Sequence, residues 1–392
     1  MVATGTIVLL VVAAAASLFM AWSIGAGSSG STPFAPAVGA NAISIIRAGF
    51  LVGFLGLAGA VLQGANVTEA VGRQLILGVT ITPVAAIVAL VIAAGLVAMG
   101  VFAGYPIATA FTVTGAVIGV GLALGGDPAW AKYREIAALW ALTPFLGGGA
   151  AYGIARLLRH PNVREEHVVP ALGAVVGLLV ANIGFTVLGP PAVPVSIAGT
   201  IGPALGPQGP LLVSAAAAAL VGVALYLDAA DAADRAQRRF LLAMGALVAF
   251  SAGGSQVGLA IGPLLPVLDN LAGSVPLLAV LVGGGIGLLI GSWTGAPRMI
   301  KALSQDYSSL GPRRSIAALV PAFAIAQAAV HFGIPVSFNE IVVSAIVGSG
   351  YAAGSSGVSR AKMLNTVAAW IGSFVAALVA SFAVFTAVEA VL

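Results

Sequence analysis

Apolar stretches long enough to cross a bilayer recur from one end of this chain to the other. A bilayer core about 30 Å thick takes ~20 apolar residues of helix per crossing. Residues 7–22, 84–102, 211–227 and 367–387 reach or approach that length. Only 7% of the 392 residues are charged and 60% are hydrophobic, whereas soluble domains carry roughly 25% charged residues. Barrel strands would alternate over ~10 residues, and that alternation is missing. The expected class is an all-α integral membrane protein. Residues 7–23 lack the basic flank of a signal peptide, because residues 1–6 carry no charged side chain. They read as a retained first helix.

Composition also narrows the chemistry. Cysteine is absent, which excludes disulfides, thiol catalysis and cysteine metal sites. The histidines, His160, His167 and His331, form no metal-binding spacing with neighbouring acids, so neither metal nor cofactor is expected. The net charge of +4 resides in short loops. There the cytoplasmic preference of arginine and lysine accounts for it without nucleic acid.

Charged residues gather at 156–167, 228–239 and 298–314. Between the first two lies an uncharged segment rich in Pro and Gly, residues 189–210. If a helix flanks it on each side, both charged loops face one side, and their arginines make that side cytoplasmic in a plasma membrane protein.

The two ends of the chain overlay. Gly104-Tyr-Pro106-Ile matches Gly333-Ile-Pro335-Val, 229 residues on. At the same offset Pro83 matches Pro312, and Gly115-Ala-Val-Ile-Gly119 matches Ser344-Ala-Ile-Val-Gly348. Trp22-Ser23 matches Phe250-Ser251 at an offset of 228, and Trp140 matches Trp370 at 230. The chain divides into a first transmembrane repeat (1–160), a linker helix pair with charged flanks (161–239) and a second repeat (240–392). Duplicated transporters bind substrate where their copies meet.

Each copy interrupts its apolar runs twice with small polar residues, at 25–33 and 105–112 in the first and at 251–258 and 335–340 in the second. Inside a bilayer, broken backbone persists only where it is buried in protein or lines a cavity. Half-helix N-termini there offer free N–H groups and a positive dipole end to an anion. A single Gly/Ser cluster is equally well explained by close helix crossing. Four in matched pairs point to a site between the copies. Its candidate substrate-binding groups are Ser28, Ser29, Thr109, Thr112, Ser255, Gln256, Ser337 and Asn339.

Ser23-Ile-Gly-Ala-Gly-Ser-Ser-Gly-Ser-Thr-Pro-Phe-Ala-Pro-Ala-Val-Gly39 resembles the first signature of the inorganic phosphate transporter family, S-x-G-A-N-D-V-A-N-A-x-G-x-x-V-G. Phe250-Ser-Ala-Gly-Gly-Ser-Gln-Val-Gly-Leu-Ala-Ile-Gly-Pro263 resembles the second, F-S-H-G-A-N-D-V-A-N-A-I-G-P. Residues 106–111 and 335–340 are similar to the family's P-V-S-T-T-H hairpins, and Val67-Thr-Glu69 to its short V-T-E/D stretch. The resemblance covers both copies and implies inverted repeats and phosphate transport coupled to sodium or protons. Here Gly27-Ser28 and Ser255-Gln256 replace the two Asn-Asp pairs, and the second-helix glutamate falls at Gly56. With those acids gone, the expected coupling ion is a proton rather than sodium. Glu340, in place of the hairpin histidine, is its expected carrier, since an ionisable group within a membrane segment is functional by default.

Substrate choice turns on hydrogen-bond chemistry. Phosphate near neutral pH keeps a P–OH group that needs an acceptor, whereas sulfate has none. A site built to pair a hydroxyl rejects the analogue lacking it by ~10⁴-fold or more. A site of donors alone accepts either anion, so the lost aspartates point to sulfate while the resemblance implies phosphate. The expected function is a secondary oxyanion permease working by alternating access in the lipid bilayer, alone or as a homo-oligomer. An intramembrane enzyme would need a nucleophile–base or metal constellation, which the apolar segments lack. A transport-dead sensor or scaffold is the third reading.

Overall fold

The computed structural model describes residues 4–189, 193–269, 275–354 and 358–391. Residues 1–3 of the N-terminal run and 190–192 of the uncharged segment lie outside them. Eight helices among the described residues are long and apolar enough to cross a membrane.

In the first copy, α1 (Thr4–Ile24) passes into a π-helical turn (Gly25–Ser29) and then α2 (Ala35–Gly39). It continues through α3 (Ile45–Gln63), α4 (Ala65–Arg73), α5 (Pro83–Ala103), α6 (Thr109–Ala123) and α7 (Trp130–Leu157). The linker holds α8 (Glu165–Ala181), α9 (Ile197–Ile201) and the first half of α10 (Gly209–Ile261). Beyond α10 come a 3₁₀ turn (Gly262–Leu264), α11 (Leu265–Asp269), α12 (Leu277–Thr294) and α13 (Ala296–Gln305). The chain closes with α14 (Pro312–Phe332), α15 (Phe338–Tyr351) and α16 (Arg360–Glu389).

The two ends of the chain share several element-level features. Helices α5 and α14 both begin at a proline, whose missing N–H costs nothing at a helix start. Both end at a left-handed glycine, Gly104 (φ 73°) and Gly333 (φ 59°), a conformation that a Cβ would strain. The short pairing of Ile76–Leu77 with Asp127–Pro128 in the first copy has its counterpart in the Ser308–Val358 bridge of the second.

Two expectations are corrected by α10. It spans 53 residues, about 80 Å at 1.5 Å per residue, far more than one crossing needs. Ala232, with φ −159° and ψ 95°, divides it. The charged stretch 228–239 is therefore helix on both sides of a one-residue break rather than a loop. Residues 251–258 are continuous helix as well, not an interruption. Their glycines admit neighbouring backbones: a Cβ on Gly253 would lie 1.9 Å from Gly56 O, and one on Gly258 2.5 Å from Thr68 N. The helix changes character only at the 3₁₀ turn that contains Pro263.

The copies exchange helices. Helix α6 packs along α16, and α15 along α7. A reciprocal pair of indoles fastens the exchange: Trp140 Nε1 donates to Pro335 O at 2.9 Å, and Trp370 Nε1 to Pro106 O at 2.8 Å.

All three charged stretches meet on one face. Arg313 pairs with Glu165, Gln237 donates to Glu165 at 2.5 Å, and Arg238 donates to Ala42 O at 3.0 Å. Helices α3, α8 and α14 begin at this face, whereas α5 ends there, with Arg298 donating to Phe102 O at 3.2 Å. On the opposite face Arg73 bridges Glu69 and Asp269.

If the indole pair holds the copies together, Trp140→Phe and Trp370→Phe should each leave a proline carbonyl unpaired and cost about 1–3 kcal/mol. Thermal unfolding in detergent should show similar losses for both. A loss confined to one of them would contradict the symmetric role.

Candidate functional site

Helices α6 and α15 have 15 and 14 residues, about 21–23 Å, too short for a ~30 Å core. Both start deep inside the protein, after the extended stretches that follow Gly104 and Gly333. Neither N-terminus has a side-chain cap: Ala108 and Ser337 occupy the cap positions without a capping bond. First-turn N–H groups have no partner within their own helix. The two starts therefore carry uncommitted donors and positive dipole ends into a buried space.

Gln256, on α10, joins these starts. Its Oε1 accepts from Thr109 Oγ1 at 2.7 Å and from Ser28 Oγ at 3.4 Å. Its Nε2 donates to Val336 O at 2.7 Å and reaches Ser255 Oγ at 3.5 Å. Asn339, in the first turn of α15, donates from Nδ2 to Ile107 O at 2.6 Å and to Gly27 O at 2.9 Å. Gly27 lies in the π-helical turn, an irregularity that often marks functional sites. The first-copy break and hairpin thus touch the second-copy helix and hairpin around one amide.

All the candidate residues are buried. Ser28, Thr109, Ser255, Gln256 and Asn339 are joined in this network, and Ser337 follows Val336 directly. Ser29 and Thr112 spend their hydroxyl protons on their own helices, on Ile24 O at 3.5 Å and Ala108 O at 3.0 Å. What they offer outward is lone pairs.

Glu340 is 1% exposed and stands in the first turn of α15. Its Oε2 has no hydrogen-bond partner, and neither do Asn339 Oδ1 or Ser337 Oγ. A buried polar atom left unpaired costs about 1–3 kcal/mol. Three such oxygens lie within four residues beside a free helix start, which makes this the candidate place for a ligand to complete the bonding. Two of them, Asn339 Oδ1 and Glu340 Oε2, are potential acceptors, where the loss of the aspartates had suggested donors alone.

Sequence reasoning named the side chains but missed the carbonyls of Gly27, Ile107 and Val336, which tie the breaks together. Motifs spell side chains and not backbone. Among the described residues no group of three His, Cys, Asp or Glu could hold a metal.

Gln256→Leu would release Thr109, Ser28 and Val336 O together. Calorimetric titration of the purified variant with an oxyanion should show binding weakened at least about tenfold, the loss of 1.4 kcal/mol or more expected from uncoupling several buried bonds. Undiminished affinity would remove Gln256 from the site.

The profile of the phosphate transporter family matches residues 24–381. The chain is 28% identical to a candidate phosphate permease of Pyrococcus furiosus over 390 residues, which span 94% of this chain and 93% of the relative. It is 25% identical to the chloroplastic inorganic phosphate transporter 2-1 of Arabidopsis thaliana, over 90% of this chain and 68% of that protein. The solved structure of a protein described as the sodium-dependent phosphate transporter superposes with a TM-score of 0.82 at 21% identity, over 98% of this chain and all of the other. That likeness shows the fold. With a match across nearly its whole length, this multi-pass membrane protein belongs to the phosphate transporter family.

Proposed function

We propose that this protein moves inorganic phosphate across the membrane by alternating access around the site at Gln256, coupled to protons. The observation that carries this reading is the set of orphaned oxygens at Ser337, Asn339 and Glu340 beside two uncapped helix starts. Phosphate oxygens would take the free N–H groups of α6 and α15 together with the unpaired hydroxyl of Ser337. The P–OH would donate to Asn339 Oδ1 or the Glu340 carboxyl. Sulfate has no proton to offer those acceptors, so the geometry favours phosphate, as do the names of the relatives.

Glu340 gives the coupling. An ionised carboxylate and a phosphate anion repel within one poorly screened space. A proton on Glu340 removes that repulsion and adds a hydrogen bond, so proton and phosphate each favour the other's binding. Glu340 is the one acid among the candidate site residues. The structural neighbour is described as sodium-dependent, but the side chains gathered here include no second carboxylate for a sodium ion.

Two further features fit a rocking mechanism. Helix α5 ends at the arginine-rich face from which its counterpart α14 begins, the disposition of an inverted pair. The arginines of that face support a cytoplasmic orientation in a plasma membrane.

In proteoliposomes, phosphate uptake should run at equal initial rates in sodium and choline buffers and respond to an outside-acidic pH gradient. A steep sodium dependence would replace the proton by sodium, and stronger uptake of sulfate than phosphate would reassign the substrate. Glu340→Gln keeps size and polarity but cannot titrate. It should still exchange phosphate for phosphate while losing accumulation driven by the pH gradient. Accumulation at the wild-type level would leave Glu340 with a structural role only.

A further inference from the structure

Gln63 and Gln327 are amides set in apolar helices, and the central site uses neither. Gln63 closes α3 and is 1% exposed; Gln327 lies within α14 and is 9% exposed. Each donates to the other, Gln63 Nε2 to Gln327 Oε1 at 3.3 Å and Gln327 Nε2 to Gln63 Oε1 at 3.2 Å. Gln327 Nε2 also donates to Ser251 Oγ at 2.6 Å, and Gln63 Nε2 to Gly184 O at 3.1 Å.

This pair presses on α10 just before the central site. A Cβ on Gly254 would lie 2.7 Å from Gln63 Cβ and 3.3 Å from Gln63 Oε1. The next residues are Ser255 and Gln256. Ser251 stands four residues before Ser255, about 6 Å along the same face of the helix.

On its other side the pair lines a cavity of about 310 Å³, together with Asn66, Asn182 and His331. Asn182 and His331 are exposed. Helices α3, α8 and α14 all run away from the arginine-rich face and end around this cavity, so it belongs to the opposite face. Polar groups thus lead from an exposed cavity through the amide pair and Ser251 to Ser255 and Gln256.

We propose that the Gln63–Gln327 pair is the gate between this cavity and the central site, and that it opens by trading amide–amide bonds for bonds to an oxyanion. The proposal rests on the reading of the central site as a phosphate site. Parting the amides with nothing between them would orphan buried donors and acceptors at about 1–3 kcal/mol each. With an oxyanion between them, both NH₂ groups keep an acceptor, so opening follows substrate and the path stays shut without it.

The chain has no cysteine, so a Gln63→Cys/Gln327→Cys variant carries only the two introduced thiols. Joining them with a short bis-methanethiosulfonate in proteoliposomes should lower inorganic phosphate uptake at least about tenfold, since a tied gate cannot cycle. Dithiothreitol should restore it, and in each single variant, whatever its own starting level, the reagent should cause no comparable fall. Phosphate should also protect Gln327→Cys from a charged thiol reagent applied at the face opposite the arginines. Undiminished uptake by the cross-linked protein, or labelling indifferent to phosphate, would overturn the gate while leaving the central site standing. No phosphate uptake by the wild-type protein under any gradient would instead overturn the central reading. Should the double variant be inactive before cross-linking, Gly254→Ala decides. It displaces Gln63 without altering either amide and should lower uptake several-fold with unchanged elution from a sizing column. Wild-type uptake by that variant would also overturn the gate.

Discussion

Inside a bilayer no water satisfies a backbone group released by a broken helix, so its partner must come from the protein or from what the protein binds. The centre of this molecule is arranged around that demand. Helices α6 and α15 start in mid-protein without caps, and their extended lead-ins expose the carbonyls of Ile107 and Val336. Asn339 and Gln256 meet those carbonyls, while the first-turn N–H groups are left to a ligand. Gln256 therefore ties the breaks together, and in the proposed site its bonds would close the protein side while the unpaired oxygens of Ser337, Asn339 and Glu340 would face the ligand.

The exchanged packing of the copies makes this arrangement possible. Because α6 lies along α16 and α15 along α7, each hairpin is held by a helix of the other copy, and the indoles of Trp140 and Trp370 clamp the opposite hairpins at Pro335 and Pro106. A movement of one copy must then carry the partner's hairpin with it. The two helix starts are thus tied to each other through both copies, a coupling that the proposed alternating access would use.

Much of this was legible in the sequence because the hairpin punctuation is local. Gly104-Tyr-Pro106 and Gly333-Ile-Pro335 spell a left-handed stop followed by backbone that cannot continue a helix, and the structure breaks there. The Ser251 to Gly258 segment misled because glycine and serine look alike whether they break a helix or let another approach. Only the neighbour, Gly56 against Gly253, distinguishes the cases. The charge run at 228–239 suggested a loop, yet helix persists on both sides of Ala232. The amides Gln63 and Gln327 were overlooked because a single polar residue in an apolar run carries no motif. Their meaning lies in a contact across 264 residues of chain.

The central claim, that both copies contribute to one anion site, is tested most directly by determining the structure with phosphate bound at saturating concentration and acidic pH. The account predicts tetrahedral density within hydrogen-bonding distance of the first-turn N–H groups of α6 and α15, and beside Asn339 and Glu340. Phosphate held by one copy alone, or seated only among the arginines of the charged face, would contradict it.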